Sequence, residues 1–211
     1  MITAFRLGGQ RPADTRLASW WGGNFIAPAP ADAPRMRPLF QIRVADLPVT
    51  QRGAFRADYL LFWIGLEPDL GEFMEGRDFI IRELSAPENA PAAIGRNSND
   101  GDAFTLFQLH AETGTTQRPD WDDFAHCVPN AVAWSGDADW FFDHPNDPGD
   151  DDRPLLVGGW PQWIQSSQNT DGAEFVLQVG STMKGRFVYG GGGNLYLFRR
   201  PDGWELLSDF C

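Results

Sequence analysis

Pro38-Leu39-Phe40-Gln41-Ile42 and Phe175-Val176-Leu177-Gln178-Val179 carry the reading of this chain. Each is an apolar strand interrupted by one glutamine. Around the first lie Trp21-Gly22-Gly23-Asn24-Phe25 upstream and Tyr59-Leu60-Leu61-Phe62 downstream. Around the second lie Val157-Gly158-Gly159-Trp160-Pro161 and Leu195-Tyr196-Leu197-Phe198. Matching elements are displaced by 136 or 137 residues. A period this long indicates a duplicated half-domain and not a solenoid. Each Gly-Gly pair predicts a turn with positive φ or close backbone approach. Gln41 and Gln178, set among apolar neighbours, are expected to be buried and bonded to backbone of the opposite half or of a nearby loop. The competing reading has them lining a ligand cleft between the halves.

Leu106-Phe107-Gln108-Leu109 repeats the glutamine pattern without the glycines and reads as another core strand. Further strands are expected at residues 78–84 and 131–134, and a short helix at 119–126 with proline in its first turn. Residues 35–38 and 97–102 read as loops. The 16 prolines and 23 glycines leave little room for long helices. The expected fold is α+β and β-rich: two duplicated halves sharing one core. Residues 1–211 form a single domain, with half-repeats at 20–66 and 155–211 and an acidic insertion at 97–152.

A chain of 211 residues, 42% hydrophobic and 13% aromatic, can bury a full core, which excludes global disorder. Its longest apolar run, Tyr59 to Leu66, falls far short of the roughly 20 residues a membrane helix needs. No basic stretch followed by an apolar run opens the chain, so no export signal is read. Two cysteines, Cys127 and Cys211, make no disulfide scaffold. A cytoplasmic protein with both thiols free is expected.

The formal charge of −12 argues against nucleic acid as a partner. Its distribution says more. Residues 1–96 and 153–211 are each neutral, whereas 97–152 set 13 acids against Arg118 alone. The whole net charge therefore lies in the middle quarter. Such a block resists burial and projects a negative field. Large aromatics interrupt it, as a surface aimed at a basic protein would require; equally, they would anchor the segment to the core. The candidate partner-binding residues are Trp121, Asp122, Asp123, Trp134, Asp137, Asp139, Trp140, Phe141, Asp143, Asp150, Asp151 and Asp152.

Catalytic motifs do not emerge, and no cofactor is expected. His126 with Asp122 or Asp123 and Cys127 would be half a metal site, without a second ligand pair. The aspartate run misses the EF-hand pattern, since Phe142 and Pro148 stand where glycine and glutamate belong. Tyr189-Gly190-Gly191-Gly192-Gly193-Asn194 lacks the Gly-Lys-Ser/Thr of a phosphate loop and leads into a strand.

Several of these motifs, in this order, resemble the YwqG-like family of bacterial proteins. They are Pro38-Leu39-Phe40-Gln41-Ile42 leading through Val44-Ala45-Asp46-Leu47-Pro48 to Tyr59-Leu60-Leu61-Phe62, then Gly158-Gly159-Trp160-Pro161-Gln162-Trp163-Ile164-Gln165. Phe175-Val176-Leu177-Gln178-Val179, the glycine loop with Asn194-Leu195-Tyr196-Leu197-Phe198, and the ending Asp209-Phe210-Cys211 complete the set. The middle of the chain has no counterpart, and proline is missing after the first Gly-Gly. The resemblance implies a β-rich duplicated fold without established catalytic residues. Some members look like immunity proteins encoded beside secreted toxins. With the acidic segment, the aromatics and the absent catalytic motifs, this gives the first reading, an immunity protein that binds and neutralises a toxin. On this reading the partner is a toxin domain with a basic surface. The second reading is a small-molecule binder or enzyme using the cleft between the halves.

Overall fold

A computed structural model describes residues 1–8, 15–23, 25–30, 36–65, 73–87, 104–114, 119, 150–165, 168, 170 and 172–210. The described strands are β1 (Ile2–Leu7), β2 (Trp20–Trp21), β3 (Met36–Arg43), β4 (Tyr59–Gly65) and β5 (Phe79–Leu84). They continue as β6 (Phe107–Thr113), β7 (Leu155–Gly158), β8 (Glu174–Gly180), β9 (Asn194–Arg200) and β10 (Gly203–Asp209). Two short 3-10 helices, Val44–Asp46 and Val49–Ala54, join β3 to β4.

All ten strands form one antiparallel sheet in the order β10-β9-β8-β7-β1-β6-β2-β3-β4-β5. The sheet curls until it is nearly closed. The fold is thus β-rich, and the described residues hold almost no helix. The helix expected at 119–126 (Pro119 apart) and the strand expected at 131–134 lie outside the described residues.

Strand alternation explains the core. Leu60, Phe62 and Ile64 of β4 share one buried cluster with Leu39 and Ile42 of β3, and with Val179, Leu195 and Leu197 from the far side of the sheet. Phe40 stacks on Phe62 with centroids 5.1 Å apart. The intervening residues face outward into smaller clusters. Tyr59, Leu61 and Trp63 pack with Trp20 and Phe25, while Tyr196 and Phe198 pack with Trp163. Strands buried on both faces read as continuous apolar runs, as Tyr59-Leu60-Leu61-Phe62 and Leu195-Tyr196-Leu197-Phe198 do.

Two sequence expectations are corrected. Residues 36–38 are not a loop but the start of β3, paired with Gly65, Ile64 and Trp63. Pro38 fits because the register shifts between Pro38 and Phe40, where a missing N–H is tolerated. β6 is a strand at the sheet centre, yet among its residues only Leu109 is buried, so it contributes little to the core.

Candidate functional site

Asp150, Asp151 and Asp152 are the described members of the expected partner-binding set. Trp121, Asp122, Asp123, Trp134, Asp137, Asp139, Trp140, Phe141 and Asp143 lie outside the described residues.

The three aspartates work inside the fold. Asp150 Oδ1 accepts the backbone N–H groups of Asp152 and Arg153 at 2.9 and 2.8 Å, and its Oδ2 pairs with the Arg153 guanidinium at 2.9 Å. Partial burial pushes the Asp150 carboxyl up, but Arg153 and the two N–H donors outweigh it and hold the group below the usual carboxylate range. Asp151 Oδ1 accepts the Met183 N–H at 2.5 Å, and its carboxylate also faces the Lys184 N–H at 3.3 Å. Its carbonyl accepts the Thr182 hydroxyl at 2.7 Å. Asp152 Oδ1 takes the Lys184 ammonium at 2.6 Å, and that ammonium also reaches the Leu7 carbonyl. The carbonyl of Asp152 accepts the Leu7 N–H at 2.7 Å.

These bonds fasten the end of the acidic segment to β1 and to a tight turn. Thr182 and Phe187 close that turn by exchanging backbone bonds at 2.6 and 3.0 Å. Gly185 is required in it, because a Cβ there would stand 2.5 Å from Trp21 Nε1. Trp21 Nε1 donates to the Gly185 carbonyl at 3.1 Å, which keeps the turn against the core.

Gly114, within the segment and just after β6, is fastened to β1 too. Gly114 N–H donates to the Ile2 carbonyl at 2.9 Å. The chain therefore leaves beside Ile2 and returns beside Leu7, the two ends of β1, which are separated by roughly 17 Å at the usual rise per residue. Beside it, Arg6 holds Glu112 through two hydrogen bonds of 2.6 and 3.1 Å, and the Glu112 carboxyl is lowered by them.

Gln41 and Gln178 are not open to a ligand. They are 0% and 1% exposed. Gln41 Nε2 donates to the carbonyls of Arg16 and Ala18, and its Oε1 accepts the Ile26 N–H, each at 2.8 Å. Gln178 Oε1 accepts the Gln162 N–H at 2.9 Å. Both amides therefore hold neighbouring loops, as one of the two sequence readings required. The glycine loop is likewise committed. The N–H groups of Gly192 and Gly193 both bond the Tyr189 carbonyl, so they do not converge on an anion.

A buried polar cluster had no sequence signal beyond the family-like ending. Asp209, almost fully buried, accepts the Ile164 N–H on Oδ2 at 2.6 Å. Its Oδ1 lies 2.8 Å from the Tyr196 hydroxyl, which also contacts the Gln162 carbonyl at 2.6 Å. Burial drives the Tyr196 hydroxyl far above its ordinary pKa, so it stays protonated. The cluster pins the loop carrying Trp163 onto the outer face of β9.

His110 is exposed on β6, while His126, His144 and Cys127 lie outside the described residues. Among the described residues, no three His, Cys, Asp or Glu side chains converge as metal ligands would. No helix among them is long and apolar enough to cross a membrane. Compared with protein-family models and with curated proteins, the chain matches none.

Proposed function

We propose that this chain is a non-catalytic protein-interaction module, most concretely a cytoplasmic immunity protein that binds and neutralises a cognate bacterial toxin. One observation carries the reading: the entire charge of −12 lies in residues 97–152, while the sequence on either side is neutral. An acidic segment held to β1 at Gly114 and at Asp152 raises the encounter rate with a basic surface and penalises acidic competitors. Trp121, Trp134, Trp140 and Phe141 supply the apolar anchors from which affinity comes. Asp150, Asp151 and Asp152 already have partners within the fold, so the steering field falls to the remaining acids.

The supporting ancestry is a duplicated, YwqG-like α+β domain with an acidic insertion between its halves. Three correspondences at one displacement favour the duplication. Gly22 and Gly23 match Gly158 and Gly159 in positive φ. The register shift at Pro38/Phe40 matches that at Phe175/Leu177. The Gln41–Ile26 bond matches the Gln178–Gln162 bond. The alternative, a small-molecule binder or enzyme in the cleft between halves, gains nothing from glutamines whose amides are already bonded.

The test is co-expression with the neighbouring gene product where that product is a secreted toxin. Rescue of growth and co-elution are expected; unrelieved toxicity with no complex sinks the proposal. Changing Asp137, Asp139, Asp143 and Asp147 to asparagine should slow association roughly tenfold at low salt and flatten its salt dependence.

A further inference from the structure

The ten-stranded sheet ends at β5 and β10, and no ladder joins them among the described residues. Because the strands alternate in direction, β5 and β10 run antiparallel, the arrangement a closed barrel of even strand number requires. What bridges them is a set of side chains. Arg199, on β9, reaches across to Glu83 on β5 at 2.7 Å, with side-chain exposures of 11% and 13%. Its guanidinium lies 3.6 Å from the centre of the Trp204 ring on β10 and reaches the Ala54 carbonyl at 3.5 Å. Near the glycine loop, Phe73 meets Tyr189 and Tyr189 meets Phe210, with centroids 6.0 and 6.2 Å apart.

Along each edge, alternate residues turn their backbone away from the sheet. Gly65 N–H bonds the Asp78 carbonyl, so Asp78, Ile80, Arg82 and Leu84 point their backbone toward β4. Ile81 and Glu83 then point away from the sheet. On β10, Ser208 offers its carbonyl outward to Gln168, and Trp204 and Leu206 share that outward phase. No backbone partner faces Ile81, Glu83, Trp204 or Leu206 among the described residues. Each edge strand is held by one ladder, whereas β1 is held by two.

We infer that Arg199 and Glu83 form the latch of this sheet, and that the seam between β5 and β10 opens as a unit while β1, β6 and β7 stay paired. Removing the latch partner strands a buried charge at the seam and nowhere else. Without the latch each edge strand can peel away by breaking its single ladder, whereas freeing β1 breaks two, so the seam is the least costly cooperative opening the sheet offers.

Native-state hydrogen exchange on the full chain tests this. The probes are the laddered amides Ile80, Arg82, Glu205 and Leu207 at the seam, with Phe5 as the central reference. In the unmodified chain the seam amides should exchange faster than Phe5. Glu83→Gln should speed the seam amides roughly a hundredfold and leave Phe5 unchanged. Arg199→Lys keeps the charge but loses the planar stack on Trp204, and should speed the seam roughly tenfold. This milder variant decides the matter if Glu83→Gln does not fold. Equal acceleration at Glu205 and Phe5, or no acceleration at the seam, overturns the latch.

Discussion

Gln41 and Gln178 make the same bond. Each Oε1 accepts a backbone N–H from the loop that precedes its strand, Ile26 at 2.8 Å and Gln162 at 2.9 Å. A buried amide in an apolar strand is tolerable only when such partners exist, and here the partners are the loops that cover the outer face of the sheet. Gln41→Leu would leave the Arg16 and Ala18 carbonyls and the Ile26 N–H without a partner. A loss of about 1–3 kcal/mol is expected by urea denaturation. A change within error would show that water replaces the amide.

Gly193 and Gly203 offer a matched pair. A Cβ at Gly193 would press into the Asp209 carbonyl and the Phe210 side chain, whereas one at Gly203 would meet nothing within 4 Å. Gly193→Ala should cost about 1–3 kcal/mol through overpacking. Gly203→Ala should stay within about 0.5 kcal/mol. Thermal melting of the two variants checks the difference, and equal midpoints would contradict it.

Tyr196 and Asp209 secure the loop carrying Trp163. Tyr196→Phe deletes the hydroxyl shared by Asp209 and the Gln162 carbonyl. It should destabilise by about 1–3 kcal/mol. Trp163 packs 4.4 Å from the Tyr196 ring, so its near-ultraviolet signal should weaken as the loop loosens. An unaltered spectrum would mean that ring packing alone holds the loop.

Acid should weaken the ties of the acidic segment at Glu112 and at Asp150. The Asp150 and Glu112 carboxyls are both held below their ordinary values. A lowered folded-state pKa contributes stability above the unfolded value and loses it as pH falls through the folded one. The loss is therefore expected below about pH 4. Asp150→Asn should lower the urea midpoint at pH 7 and leave it nearly unchanged at pH values where Asp150 is already protonated. An equal effect at both pH values would show that charge plays no part.

The sequence alone determined the strands that are apolar on both faces. Continuous runs such as Tyr59-Leu60-Leu61-Phe62, short and rich in aromatics, read as strands buried on both faces, and a glutamine inside one must find backbone. It also located the charge, because counting needs no coordinates. Strands with mixed patterns were illegible: Ile2–Leu7 and Gly203–Asp209 interleave Arg6, Glu205 and Ser208 with apolar residues. They become strands because β6 and β7 flank the first and β9 receives the second. Tertiary structure alone decided the fate of Asp150, Asp151 and Asp152. In sequence they read as a free acidic surface. Their partners, Leu7, Met183 and Lys184, are distant along the chain apart from Arg153, and the fold brings them within 3 Å. Asp209 and the Arg199–Glu83 pair follow the same logic. A carboxylate can be buried only where donors converge, and that convergence belongs to the curled sheet and not to any local stretch of residues.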